Sequence, residues 1–75
     1  MIDIYTLHFD GRPGDTRDVL AHALIEDGGG VVLGGGVFLL SNPPLRDIEF
    51  SVPKERAPAL VSSLVEAGFE PELRT

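Results

Sequence analysis

The chain has 75 residues, no cysteine and a formal net charge of −6, which together indicate one small domain without disulfides or thiolate metal sites. Its six basic residues are scattered, which argues against nucleic-acid binding because phosphate recognition needs clustered Lys and Arg. No apolar stretch approaches the roughly 20 residues of a membrane span and no signal peptide is recognisable, so we expect a soluble, cytoplasmic protein.

The first part of the chain predicts a strand followed by a capped helix. Ile2–Phe9 is rich in β-branched and aromatic residues, which is typical of a strand, β1. Asp15 is placed to cap a helix, α1, that ends at the glycines 28–30, and Asp18 occupies the reciprocal position of a capping box. The helical spacing predicts an apolar face of Val19, Leu20, Ala23 and Leu24 and an opposite polar face of Arg17, Asp18, His22 and Glu26.

Two strands separated by a turn are predicted next. Val31–Leu40 has high β-propensity and indicates one long strand, β2, bent or bulged at Gly34–Gly36. Ser41–Pro44 is expected to be a turn. Arg46–Val52 alternates strictly, which predicts a half-buried strand, β3. Its polar side carries Asp47, Glu49 and Ser51, and its apolar side carries Ile48, Phe50 and Val52.

The last part of the chain predicts a second helix and an edge strand. Pro53 is expected to open the helix, α2, whose regular part starts near Glu55 and stops at Gly68. Phe69–Arg74 alternates as a final strand, β4, which Pro71 marks as an edge. The order βαββαβ predicts an α+β, ferredoxin-like domain spanning residues 1–75. Its four-stranded antiparallel sheet would have the order 4-1-3-2, with both helices on one face.

Two of the predicted strands are apolar on both faces, which helices on one side of a sheet cannot cover. In β1 the two sets are Ile2 and Ile4 on one face and Tyr5, Leu7 and Phe9 on the other. We therefore expect the open sheet face or the β2 edge to meet a partner, most simply a second copy in a homodimer. The candidate interface residues are Val32, Val37, Phe38 and Leu40. The alternative is that a small domain exposes some apolar surface in any case.

The loop between β1 and α1 carries the most specific local signal. It reads D-G-R-P-G at residues 10–14, where Pro13 fixes its own φ and Gly14 allows a positive φ. Backbone N–H groups at the start of the following helix could receive a carboxylate. The alternative is that the loop makes only a turn and that Asp15 makes only a cap.

In this setting, D-G-R-P-G followed by D-T-R-D-V-L-A-H-A-L resembles the opening of an ACT domain. That family is a βαββαβ amino-acid-sensing module whose first strand commonly ends in D-R-P-G. The stretch I-E-F-S-V-P at residues 48–53, and L-V-E-A-G-F at residues 64–69, are similar to the third strand and second helix of the family. The resemblance therefore implies a regulatory domain that covers nearly the whole chain.

The resemblance also implies where a ligand would bind. ACT effectors usually lie at a dimer interface, between the first loop of one copy and the second strand of the other. Carried over by position, the ligand residues are Asp10, Arg12, Pro13, Gly14 and Asp15 in the loop, and Val31, Val32 and Leu33 in β2. An amino-acid carboxylate would accept from N–H groups around Gly14 and Asp15, and its ammonium would need Asp10 or a β2 carbonyl. Such a module would act on a partner enzyme or regulator.

A different class of function remains open alongside the sensor. A ferredoxin-like adaptor would bind another protein through β2 or the open sheet face and would need no small-molecule ligand.

The sequence gives little indication of a catalytic, metal-binding or nucleotide-binding site. His8 and Asp10 share a strand face, but two ligands do not make a metal site. No serine or lysine has an evident base beside it, so we expect neither catalysis nor a cofactor. The glycines 28–30 follow a helix and Gly34–Gly36 lie within a strand region, whereas phosphate-binding glycines follow a strand and open a helix.

Overall fold

The computed structural model describes residues 1–40 and 42–74, and in these ranges it contains four strands and two helices. Ser41, in the predicted turn, and Thr75 lie outside the described residues. The elements are β1 (Ile2–Asp10), α1 (Thr16–Asp27), β2 (Val31–Phe38), β3 (Leu45–Pro53), α2 (Ala57–Glu66) and β4 (Glu72–Leu73).

The four strands form one antiparallel sheet in the order β2-β3-β1-β4. This is the predicted order read from the opposite edge. β1 and β3 are central and pair along their whole lengths, from Ile2 opposite Pro53 to Asp10 opposite Leu45. The architecture is therefore α+β and compatible with a ferredoxin-like fold.

The core lies between one face of the sheet and the two helices. The alternation predicted for β3 is confirmed, because Ile48, Phe50 and Val52 are buried. Aromatic rings pack together in this core: Tyr5 of β1 stacks on Phe50 of the neighbouring β3 at 5.6 Å, and Phe9 of β1 meets Phe69 edge to face at 5.2 Å between ring centroids. The buried apolar residues are Leu7, Phe9, Ala21, Ile25, Ile48, Phe50, Val52, Ala57, Leu60, Leu64 and Phe69.

The predicted orientation of α1 is wrong. Asp18, Ala21 and Ile25 face the core, whereas Val19 is 59 % and Leu20 is 40 % exposed. Apolar residues occur around most of this helix, so periodicity alone does not select the buried face. The face is set by the spacing of Ala21 and Ile25 together with a buried polar contact of Asp18, described below.

The predicted ends of β2 and β3 and the predicted start of α2 also differ from the structure. β2 ends at Phe38, so Leu40 lies in a turn and not in the strand. Pro53 ends β3 and does not open α2. Residues 54–56 form turns, and α2 begins at Ala57 with a proline in its first turn.

The largest difference is the length of β4, which is only Glu72–Leu73. Phe69 was expected in this strand, but its ring is buried in the core and its N–H donates to Leu64 O at 2.9 Å. Pro71 has no N–H to offer a ladder. The chain therefore joins β1 only after it has passed these two residues.

Candidate ligand site

The loop between β1 and α1 is a closed turn held by Asp15. The carboxylate of Asp15 accepts from the N–H of Asp18 at 3.0 Å and from the N–H of Arg12 at 2.8 Å. Its own N–H donates to Arg12 O at 3.1 Å. The predicted helix cap is confirmed, and Gly14 has the positive φ, 85°, that favours glycine. The hydrogen bond from Arg12 N–H, followed by that from Asp18 N–H, holds the pKa of the Asp15 carboxyl below its usual value.

Asp18 is buried, although it was predicted on the exposed face of α1 with a reciprocal capping role. One carboxylate oxygen accepts from the N–H of Gly14 at 2.8 Å, and the other accepts from Nε of Arg46 at 3.0 Å. The side chain of Asp18 is only 9 % exposed and that of Arg46 only 12 % exposed. A charge at this depth needs paired, hydrogen-bonded surroundings, which Arg46 and the loop provide.

Arg46 extends this network to the edge strand. Its Nη1 donates to the carbonyl of Gly36 at 2.9 Å and to the carbonyl of Asp47 at 3.1 Å. A Cβ at Gly35 would collide with the carbonyl of Asp47 and lie 2.9 Å from Arg46 Nη1. A continuous chain of hydrogen bonds therefore runs from the loop, through Asp18 and Arg46, to β2.

His22 lies beside the same network, one helical turn beyond Asp18. Its Nδ1 is 2.8 Å from the backbone O of Asp18 and 3.5 Å from the Asp18 carboxylate. Sequence periodicity placed this histidine on a solvated face and did not connect it with the loop.

The loop amides that were expected to hold a ligand carboxylate already have partners. The N–H of Gly14 donates to Asp18, and the N–H of Asp15 donates to Arg12. Asp10, Arg12 and Pro13 are exposed. A ligand carboxylate at Gly14 would therefore compete with the Asp18 carboxylate for the same donor.

Within one copy, the two halves of the expected ligand site lie at opposite ends of the sheet, measured along the strands. Pairing places Asp10 opposite Leu45, and Leu45 opposite Phe38 at the end of β2. Val31, at the start of β2, lies opposite Ser51. A single copy does not bring the loop to the start of β2, so the expected site requires two copies.

The expected interface residues are not all directed outward. Val32 packs against the core and Val37 is half-buried, because both lie on the helix side of the sheet. Phe38 and Leu40 are 56 % and 90 % exposed, and Leu39 and Leu45 are exposed beside them. We call this set, Phe38, Leu39, Leu40 and Leu45, the apolar end of the sheet. Leu39 and Leu45 were missed by the sequence interpretation.

A groove of about 340 Å³ opens at the other edge of the sheet, beside the second half of β1. It is lined by His8, Phe9, Asp10, Arg17, Gly68 and Glu70. Only Asp10 belonged to the expected ligand set. Pro71 was the one sequence signal for this groove, because it interrupts the strand that would otherwise fill it.

Comparisons with known proteins give no further assignment. No protein-family model, curated protein or solved structure matches this chain. Within residues 1–40 and 42–74, no group of three or more His, Cys, Asp or Glu side chains is arranged to hold a metal ion. In the same part of the chain, neither helix is long and apolar enough to cross a membrane.

Proposed function

We propose that this chain is an ACT-like, ferredoxin-like regulatory module that binds an amino acid or a similar small polar ligand between two copies and acts through a partner protein. The observation that carries the proposal is the nature of β2. This strand lies at one edge of the sheet, where only its side towards β3 is paired, and its eight residues include no charged side chain. An edge of this kind offers its backbone to a second copy.

The polar network supplies a physical route by which a ligand could be sensed. A carboxylate that takes the N–H of Gly14 would release one oxygen of Asp18 and change its contact with Arg46. Arg46 also holds the carbonyl of Gly36, so the change would reach β2. Ligand binding at the loop and pairing at the edge would then influence each other, as linkage requires.

An adaptor without a small-molecule ligand is the second candidate. It is favoured by the apolar end, where Phe38, Leu39 and Leu40 are exposed in succession and Leu45, the strand partner of Phe38, is exposed as well. Exposed apolar clusters rimmed by polar residues are typical of protein-binding surfaces.

A thermal-unfolding screen against the common amino acids, with oligomeric state measured in the same buffer, tests the sensor. A ligand at about 100 times its dissociation constant adds about 2.7 kcal/mol, a shift of several degrees for a small domain. The sensor predicts a selective shift that Gly14→Leu abolishes; because leucine is strained at the φ of 85° of Gly14, the shift is measured from the melting temperature of the ligand-free variant, whose fold and dimer are checked first. A dimer that responds to no amino acid would favour the adaptor, and a response unchanged in Gly14→Leu would show that the loop is not the site.

A further inference from the structure

The groove beside β1 exists because β4 covers only part of its neighbour. β1 has nine residues, but β4 pairs only at Tyr5 and Thr6. One further hydrogen bond, from Arg74 N–H to Ile4 O at 2.8 Å, closes this edge on the N-terminal side. From His8 onward, β1 has no neighbouring strand on this side.

Backbone donors and acceptors of β1 lie along the groove where β4 does not pair with them. Alternate residues of a strand direct their N–H and C=O to the same side, so His8 and Asp10 share the direction of Ile4. Across the groove, the chain passes Glu70 just before Pro71. Within residues 1–40 and 42–74, no backbone hydrogen bond joins His8 to Glu70. His8 therefore presents backbone groups that a bound molecule could satisfy.

The charged side chains of the groove are opposite in sign and unpaired with one another. Arg17 is held in place, since its Nη2 donates to Gly68 O at 3.3 Å and its guanidinium lies 4.5 Å from the Phe69 ring centroid. Among the described residues no ion pair joins Arg17 to a carboxylate, although its charge acts on Asp15, and neither Asp10 nor Glu70 forms an ion pair with a cation. The lining thus offers one fixed cation and two carboxylates.

We infer that this groove binds a small zwitterion of net positive charge, a diamino carboxylic acid, with its carboxylate on Arg17 and its ammonium groups on Asp10 and Glu70. The volume is at the lower end of the range for small-molecule sites, which suits a ligand of this size. Opposite charges separated along one ligand match the opposite charges of the lining. The groove shares Asp10 with the expected loop site but includes neither the loop amides nor β2, so the position of the ligand on the chain distinguishes the two proposals.

Amide NMR spectra of the isotope-labelled full chain, titrated with L-lysine, test this inference. We expect saturable shifts centred on the amides of His8 and Glu70 at millimolar lysine. Cadaverine lacks the carboxylate, aminocaproate lacks the α-ammonium, and each should bind about tenfold more weakly for the loss of a charge-assisted contact. L-Glutamate, with net negative charge, should produce no saturable shift.

Matched variants place the ligand in the groove. Glu70→Gln should weaken lysine binding about tenfold, whereas Glu72→Gln, with the same charge change outside the groove, should leave it unchanged. Arg17→Met keeps an apolar stem against Phe69 and should abolish the preference for lysine over cadaverine. If Arg17→Met does not fold, the two glutamate variants decide. Absence of saturable shifts, equal binding by both glutamate variants, or shifts centred on Gly14 and Val31 instead would overturn the inference.

Discussion

Asp18 of α1 and Arg46 of β3 form a buried ion pair, with Nε of Arg46 3.0 Å from the Asp18 carboxylate. The residues are 28 positions apart, and the pair joins the loop, the first helix and two strands in one network.

Removing one partner of this pair should be costly. Asp18→Ala would leave Arg46 buried without its carboxylate and the N–H of Gly14 without its acceptor, so we expect a loss of about 3 kcal/mol of unfolding free energy. Urea denaturation measures this loss. The matched control is the more exposed pair of Lys54 and Asp3, at 3.4 Å, where Lys54→Ala should cost no more than about 1 kcal/mol. Equal losses of unfolding free energy in the two variants would show that the buried pair stabilises the fold no more than the exposed pair does.

Adjacent glycines in β2 should differ sharply in their tolerance of a methyl group. Gly35→Ala would place Cβ against the carbonyl of Asp47 and the guanidinium of Arg46, and should destabilise the fold by about 2 kcal/mol. A Cβ at Gly34 meets nothing within 4 Å, so Gly34→Ala should change stability by less than about 0.5 kcal/mol. Thermal unfolding of the two variants side by side gives the comparison, and similar losses would contradict the described packing of β2 on β3.

The cap of α1 should make stability depend on pH in the acid range. Hydrogen bonds from Arg12 and Asp18 lower the pKa of Asp15 in the folded chain below its ordinary value of 3.8. The charged form is therefore favoured by folding, and its contribution is present above pH 3.8 and lost as the pH falls through the lowered value.

Asp15→Asn isolates this charge, because asparagine also caps helices well. We expect the wild type to be more stable than Asp15→Asn near neutral pH, and the difference to shrink as the pH falls below 3.8. Urea denaturation at several pH values measures it. A difference that stays constant with pH would show that the carboxylate charge is unimportant.

A charge on the apolar end should disrupt whatever assembly uses it. Leu40→Asp should dissociate an oligomer or abolish partner binding with little effect on folding, because the side chain is almost fully exposed. Val65→Asp on α2, also an exposed apolar position, is the control. Analytical ultracentrifugation with a parallel thermal-unfolding measurement separates association from stability. An unchanged sedimentation profile in both variants would remove the apolar end from the interface.

The sequence predicts the elements and their order well where a local pattern decides the outcome. The strict alternation of β3 identifies its buried face, and Asp15 identifies the start of α1. The face of α1 could not be predicted in the same way, since Val19 and Leu20 are as apolar as the residues that are buried. The buried face carries Ala21 and Ile25 together with Asp18, whose partner Arg46 is 28 residues away and is not revealed by any local pattern.

In the candidate sites too, features set by neighbouring residues could be predicted, and features set by distant contacts could not. The turn and cap at residues 10–15 follow from Pro13, Gly14 and Asp15 directly. The groove lies where β4 leaves β1 unpaired beyond Thr6, and the alternation of residues 69–74 predicts a longer strand there. Whether the loop or β2 holds a ligand stays a prediction.

The unequal edges of the sheet bear on how copies of this chain could assemble. Pairing β2 with β2 of another copy uses the same edge on both molecules and ends with two. Pairing β2 with β4 would instead leave a fresh edge at each end and grow without limit, but β4 offers only two residues to such a neighbour. Strand addition in this fold is thus directed towards closed pairs and away from fibres.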